Sequence, residues 1–299
     1  MTMRPTPGQC DQLGQMLRRV LAPNPSAFTL HGTNSYLLGT GDVALIDPGP
    51  DDPAHSRALL AALRPGERIS HIFVTHAHLD HSPLATAMAQ SLGVKTHAYG
   101  PANAGRSPQM QALATAGLIA GGEGIDTDFT PDIRLQDGET LAHGDWAVEA
   151  VHTPGHLSNH LCFAFGDMLF SGDHVMGWAS SLVSPPHGDM AAYMASTRRL
   201  ASRPWSVIHS GHGEAITDPA ARLAFLIAHR TAREASILAE LHHGPATIPA
   251  LTATLYTDTA PALQGAAARN VLAHLLDLCA QGRVTAHPAP GFSARYMLA

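Results

Sequence analysis

Charge is scarce in this chain of 299 residues: Asp, Glu, Lys and Arg make up 14 % of it, against roughly 25 % in ordinary soluble domains. Lysine occurs once, as Lys95, and arginine carries the remaining positive charge. So sparse a positive charge does not by itself point to a nucleic-acid binder, which usually shows a dense basic face. Cysteine is equally thin. Cys10, Cys162 and Cys279 are odd in number, lie far apart and form no C-x-x-C pair, which argues against a disulfide framework and a thiolate metal site. Nowhere do roughly 18 apolar residues run together, so no membrane span is expected. The N-terminal stretch holds no uninterrupted apolar run of signal-peptide length. The expectation is a cytoplasmic protein with reduced thiols and no membrane partner.

Histidine is what the chain has in excess, with 20 of them, and that invites a search for metal-ligand spacing. Apolar residues make up 45 %, enough for a proper core. The length fits one large domain and a small one, or two of middling size. The net charge of −6 is uneven: from Pro219 onward six arginines face four acids, and the deficit lies in the first 218 residues. A mildly basic tail follows an acidic body.

The first half alternates β-rich and helical runs. Phe28 to Leu38 and Val43 to Gly49 read as strands. A helix follows in DDPAHSRALLAALR, capped by Asp51 or Asp52. RISHIFVTH reads as a buried strand, SPLATAMAQSLG as a helix capped by Ser82 with Pro83 at its first position, and GVKTHAY as another strand. After a poorly patterned middle (Pro101 to Phe129), strand signals return in PDIRL, WAVEAVHT, HLCFAF and DMLFSGD. GDMAAYMASTRRLAS is a helix and WSVIHSGHGE a strand running into a loop. Strands and helices recurring in both halves imply sheets sandwiched between helical layers. The composition changes near Pro219, giving an expected division into 1–218 and 219–299. The second part holds a long helix ending at Gly244, a short one (Ile248 to Tyr256), a long one (Pro261 to Gln281) and a terminal hairpin. Three helices and a hairpin outline a winged-helix module.

The decisive segment is Thr75-His76-Ala77-His78-Leu79-Asp80-His81, at the end of a buried strand. Its four potential ligands cannot all point one way on regular structure. A loop leaving a strand can split them into pairs, His76 and His78 for one ion, Asp80 and His81 for another. Imidazole and carboxylate without thiolate suit Zn²⁺, with Fe or Mn also fitting. His156 in a Thr-Pro-Gly-His turn, Asp173 in Ser-Gly-Asp and His212 in Gly-His-Gly each lie just past a strand. That repeated placement puts all of them on one rim of the sheets.

These residues resemble the metallo-β-lactamase superfamily, in its H-x-H-x-D-H loop, TPGH turn, SGD aspartate and final GHG histidine. The resemblance covers roughly Arg18 to Thr217 and implies an αββα sandwich. It further implies that His76, His78 and His156 bind one ion, that Asp80, His81 and His212 bind a second, and that Asp173 bridges them. Asp47, in Ile46-Asp47-Pro48-Gly49, resembles the aspartate that orients a ligand without binding metal. Pro23-Asn24-Pro25, Gly32 to Leu37, GHGE and the AHR-x-x-R-E run (Ala228 to Glu234) extend the likeness to the group of β-lactamase-like protein 2, which carries a C-terminal winged-helix-like domain.

The implied function is a dinuclear hydrolase. A metal-bridging hydroxide would attack an ester-type, lactone, thioester or phosphodiester bond, with Asp80 and Asp173 as the catalytic carboxylates. Ligand histidines must be neutral, so activity should fall in acid. A small-molecule substrate is expected. Single-stranded RNA is the alternative, with Arg222, Arg230, Arg233, Arg269, Arg283 and Arg295 as phosphate contacts. A lactonase or a glyoxalase II-like thioesterase is a second alternative, although Met176 stands where such lactonases commonly carry tyrosine. Exposed surfaces of the tail could support a homodimer.

Overall fold

The structure, a computed structural model, describes residues 5–118 and 124–299. Its strands in chain order are β1 (Cys10–Gln12), β2 (Leu17–Leu21), β3 (Asn34–Leu38), β4 (Asp42–Ile46), β5 (Arg68–Phe73), β6 (Lys95–Ala98) and β7 (Ile133–Arg134). Then come β8 (Thr140–His143), β9 (Trp146–His152), β10 (Leu161–Phe165), β11 (Met168–Gly172), β12 (Val207–Ser210), β13 (Ala246–Thr247), β14 (Val284–His287) and β15 (Arg295–Leu298). The helices are α1 (Pro53–Ala61), α2 (Pro83–Leu92), α3 (Pro108–Thr115), α4 (Met190–Ala201), α5 (Pro219–Leu241), α6 (Ile248–Leu255) and α7 (Gln264–Ala280), with a single 3₁₀ turn at Pro261–Leu263 among the described residues.

Strands β1 to β7 form one sheet in sequence order, and a second sheet runs β12-β11-β10-β9-β8. Alternation along β4 shows how the layers arise. Val43 and Leu45 pack with Leu59 of α1 and with Leu84 and Met88 of α2. Ala44 and Ile46 point the other way, against Trp146, Phe163 and Phe170 of the second sheet. A pleated strand imposes that period of two, and each such fully buried Leu, Ile or Phe contributes about 1.5–3 kcal/mol. The outer face of the second sheet carries Val151, Cys162, Leu169 and Ile208, covered by Leu200 of α4 and by Leu223 and Leu226 of α5. The result is the expected α/β/β/α order of layers. Among the described residues no helix is long and apolar enough to cross a membrane.

Helix α5 belongs to two cores. Leu223 and Leu226 sit on the sandwich, whereas Ile237 and Leu241 pack with α6, α7 and the β14–β15 hairpin. The hairpin gains a third strand, β13, paired with β15. Helix α7 also reaches the sandwich, where Ala273 packs against Met190 and Tyr193.

The structure departs from the expected elements in several places. No strand starts at Phe28; residues 27–31 form turns, and β3 begins at Asn34. Ser26 Oγ accepts from the Phe28 and Thr29 amides, while Asn24 clasps the Thr33 amide and hydroxyl. Such side-chain bonds compete with a ladder. The β1–β2 hairpin and β8 were not expected. Helix α3 lies in the unpatterned middle, with Ser107 capping it and Met110 in the C-terminal core; residues 119–123 of that middle lie outside the described residues. Asp52, not Asp51, caps α1. Ser82 stands at the start of α2 without capping it, because its hydroxyl bonds the His78 carbonyl and Asp126.

Candidate metal centre

Every residue singled out as a ligand lies where a strand ends. His76, His78, Asp80 and His81 follow β5, His156 follows β9, Asp173 follows β11 and His212 follows β12. The two sheets deliver them to one rim, where they gather in two groups. His76, His78, His156 and Asp173 form one, and Asp80, His81 and His212 the other. Within the first group His78 Nδ1 lies 2.9 Å from His76 Nε2 and 3.2 Å from His156 Nε2, and Asp173 Oδ2 is 3.7 Å from His156 Nε2. In the second, Asp80 Oδ2 lies 3.4 Å from His81 Nε2 and 3.2 Å from His212 Nε2. The other oxygen of Asp173, Oδ1, stands 3.5 Å from His81 Nε2 and 3.3 Å from His212 Nε2. Asp173 thus offers one oxygen to each group.

Three observations test whether these donors fit a metal. Tetrahedral coordination with bonds of about 2.0–2.1 Å separates neighbouring donors by roughly 3.3 Å, which the distances above bracket. His81 Nε2 and Asp173 Oδ1 are buried without a hydrogen-bond partner among the described residues, a costly state that a cation between them relieves. Finally, four imidazoles spend their other nitrogen on a fixed acceptor. His81 Nδ1 donates to Asp47 Oδ2 (2.9 Å), His76 Nδ1 to Thr75 Oγ1 (2.9 Å), His156 Nδ1 to the Leu182 carbonyl (2.6 Å) and His212 Nδ1 to the Gly32 carbonyl (3.1 Å). Each bond sets a tautomer with the Nε2 lone pair facing the cluster, as metal-ligating histidines require. The donors fit a divalent cation.

The surroundings are built for this packing. Asp47 holds a left-handed backbone (φ 51°) and spends its carboxylate on the Thr75 amide, the Thr75 hydroxyl and His81. A Cβ on Gly211 would stand 2.5 Å from Asp173 Oδ1 and 2.7 Å from His81, so glycine alone leaves the cluster its room. Thr33 donates to Asp80 Oδ2 at 3.1 Å. Burial, reinforced by neighbouring histidines, pushes His76 well down and His78 to about 3. Burial lowers His156 too. On His212 burial also pulls down, but Asp173 and Asp80 outweigh it and push the ring up to about 10. His81 is raised well above its ordinary value in the same way by Asp80, Asp173 and Asp47. Asp80 and Asp173 are held well below the carboxylate range: burial opposes this, and the histidines opposite prevail. Two carboxylates therefore stand ready for positive charge, and a cation entering the second group displaces protons from its histidines.

Both groups open into a cavity of about 360 Å³. Phe28 and Thr29, Met176 and Trp178 wall it from the sandwich, while Tyr256, Leu263, Ala266, Ala267 and Asn270 wall it from the C-terminal part. Of the other residues considered from sequence, Trp178 lines this cavity. Tyr193 does not: it is buried, with its hydroxyl on the His174 carbonyl. His209 is a core residue stacked on Phe170, and His152 stacks on Tyr99. Thr33, the Gly32 and Leu182 carbonyls and the α7 wall were missed; backbone carbonyls leave no mark in a sequence.

Known proteins share this two-part architecture. Residues 28–212 match the metallo-beta-lactamase superfamily, and residues 247–291 match the beta-lactamase associated winged helix domain. The Beta-lactamase-like protein 2 homolog of Drosophila melanogaster is 31 % identical over 284 residues, covering 89 % of this chain and 88 % of that one. Thioesterase pkgB of Emericella nidulans is 32 % identical over 236 residues, 77 % of this chain; the match spans only 60 % of that relative's length. A solved metallo-beta-lactamase family protein from Thermus thermophilus superposes with a TM-score of 0.76 at 26 % identity, covering 96 % of this chain and all of that one. With these matches, and a His/Asp cluster that fits a divalent cation at the rim of its sandwich, the chain is a member of the metallo-β-lactamase superfamily and a metal-dependent hydrolase.

Proposed function

We propose that this protein hydrolyses an ester-type bond, a thioester foremost, in a small molecule with an apolar arm, using two divalent metal ions. The observation that carries this reading is the cavity wall, which holds apolar side chains from both parts of the chain and, among the described residues, neither lysine nor arginine. A phosphodiester backbone is commonly gripped along its length by Lys and Arg side chains. Five of the six tail arginines expected as phosphate contacts bond the chain itself. Arg222 holds the Met176 and Ala179 carbonyls, Arg230 the Ser181 carbonyl, Arg233 the Leu255 carbonyl, Arg283 pairs with Glu234, and Arg295 bonds the Pro245 carbonyl. The name of the pkgB relative, a thioesterase, points the same way.

In this reading His76, His78 and His156 hold one ion, Asp80, His81 and His212 the other, and Asp173 serves both. Zn²⁺ suits these donors best, and Fe or Mn is compatible with them. Ions bound there supply Lewis acidity and bring the pKa of water toward about 7. The chain's residues supply the rest. Asp47 keeps His81 in the tautomer that presents Nε2. Thr33 donates to Asp80 Oδ2, and Asp80, kept ionised by its histidines, holds charge rather than carrying a proton. Phe28, Met176, Trp178 and the small residues of α7 take the apolar arm and exclude water from it.

A series of N-acetylcysteamine thioesters, from acetyl to decanoyl, tests the reading. Each methylene buried is worth about 0.8 kcal/mol, so kcat/KM is expected to climb about three- to four-fold per carbon until the cavity is filled. Ala266→Trp, which fills the α7 wall, should cut the longer members by about ten-fold and leave the acetyl member nearly unchanged. Cleavage of single-stranded RNA by the metal-replete protein, with no thioester turned over, would sink the proposal.

Asp47→Asn is a further test of the same site. Asparagine tolerates the left-handed backbone, so the fold should survive. Its amide oxygen can satisfy the Thr75 amide, but its NH₂ then faces His81 Nδ1–H, donor against donor. His81 relieves this by shifting its proton to Nε2, which spoils the lone pair aimed at the cluster. Metal affinity and kcat are expected to fall by about 10- to 100-fold. Unaltered metal content after dialysis against chelator, with unaltered kcat, would remove Asp47 from this role.

A further inference from the structure

Arg230 is buried in the middle of α5 and is itself no candidate ligand. Among the described residues its partners are oxygen dipoles and a ring rather than a carboxylate. One guanidinium nitrogen donates to the Ser181 carbonyl and another to Asn270 Oδ1 of α7 at 3.2 Å, with the charge 5.2 Å from the centre of the Tyr193 ring. Holding a desolvated cation this way is costly unless every bond counts. Following those bonds leads to the metal cluster. Asn270 Oδ1 also accepts the Val183 amide at 3.1 Å, so Arg230 and Asn270 grip the segment Ser181-Leu182-Val183 on both sides. The residue between the grips is Leu182, whose carbonyl takes the Nδ1 proton of His156. Ser181 in turn donates its hydroxyl to the Asp173 and His174 carbonyls. Two helical turns earlier on α5, Arg222 secures the same loop through the Met176 and Ala179 carbonyls.

We infer that Arg230, together with Asn270, is a positioning residue of the hydrolytic site: from the C-terminal helices it fixes the Leu182 carbonyl that orients His156 and the Ser181 hydroxyl that seats Asp173. This rests on the assignment of His76, His78, His156 and Asp173 to one ion. It gives the AHR-x-x-R-E run a physical meaning. Its first arginine reaches toward the metal cluster, whereas its second, Arg233, bonds the Leu255 carbonyl and lies over the Tyr256 ring 4.0 Å away. Coupling of this kind is reciprocal, so the metal should in turn hold the α7 segment around Asn270 against the loop.

Competition with a chromophoric chelator, using Zn²⁺ as the probe on the full chain, reads the effect directly. Arg230→Lys and Asn270→Leu are expected to weaken one of two bound ions by about ten-fold or more. The other ion should keep its wild-type affinity. Asn270→Asp, which retains the accepting oxygen, should restore binding to near wild type, and Arg233→Lys on the same helix should leave both affinities unchanged. In the Co²⁺-loaded protein the two weakened variants should also show an altered visible absorption band, which a mere loss of stability does not produce. Hydrogen exchange of the α7 amides near Asn270 should quicken when metal is stripped from the wild type. Wild-type Zn²⁺ affinities in folded Arg230→Lys and Asn270→Leu would overturn the inference. A wild type that bound no metal would overturn the underlying assignment instead.

Discussion

Asp173→Asn is expected to lower kcat by about 10³-fold or more and to leave a single tightly bound metal ion per chain. The reason starts from geometry. Asp173 is buried, and its two oxygens face different groups, Oδ2 toward His156 and Oδ1 toward His81 and His212. An amide keeps the shape but loses the negative charge and one of the two acceptor oxygens. At an effective dielectric of about 20, two unit charges 4 Å apart interact by about 4 kcal/mol. That corresponds to about three decades in rate or affinity, and a dication feels the loss twice over. One group can still be served by the remaining carbonyl oxygen, so one ion is expected to stay. Elemental analysis of the purified variant gives the stoichiometry and thioester turnover gives kcat. Circular dichroism confirms that the sandwich is intact. Two ions per chain and a wild-type kcat would mean that Asp173 does not join the two groups.

The cluster was legible in the sequence because each of its members ends a β-run. Val207 to Ser210 before His212 and Met168 to Gly172 before Asp173 carry the apolar character that a sheet covered on both faces demands. The layers were legible for the same reason, since β4 alternates between two cores. Strand β2 was hidden by its charges. Leu17-Arg18-Arg19-Val20-Leu21 looks like a polar segment, yet all five residues are buried. Arg18 meets Glu67, the Ala62 carbonyl and the Gly39 carbonyl, and Arg19 meets Asp11 and Glu214. Those partners are up to 195 residues away in the chain, a distance no local pattern spans. Residues 28–31 failed in the opposite sense: β-favouring side chains there lie in turns held by Ser26, with Asn24 clasping Thr33 just beyond them. The role of α5 was obscured in the same way as β2. Its arginines invited a reading as phosphate contacts, and the structure turns them onto carbonyl oxygens of the chain itself. What the sequence could not carry is where long polar side chains find their buried partners, and that is what joins the C-terminal part to the metal cluster.

Acid should unfold this protein well before its carboxylates are neutralised, because several of its buried histidines have no way to accommodate a second proton. Three lie outside the metal cluster. Burial pushes His55 down to about 4; burial, with Arg19 beside it, does the same to His209. Burial, helped by Arg230, Arg233 and His229, pushes His274 down to about 3. Geometry agrees: among the described residues Nδ1 of each is buried without a partner, and in His274 Nε2 is as well. A protonated imidazole would have a donor there and nothing to receive it. The sign follows from proton uptake. Above the ordinary histidine value of about 6.5 both folded and unfolded chains are neutral at these sites, and the stability is fully present. As pH falls below it the unfolded chain takes up protons that the folded chain refuses, so stability is lost until each folded value is reached. Between about pH 8 and pH 5 each site costs about 2 kcal/mol, and the three together about 6 kcal/mol. That is a large share of the roughly 5–15 kcal/mol that holds a typical protein folded. Urea unfolding midpoints across this range measure the loss. His274→Leu, which removes one titrating site from the C-terminal core and leaves the metal cluster untouched, should flatten the acid slope by about 2 kcal/mol over the same interval. If the variant and the wild type lose stability in parallel between these pH values, His274 is not among the groups that make the fold sensitive to acid.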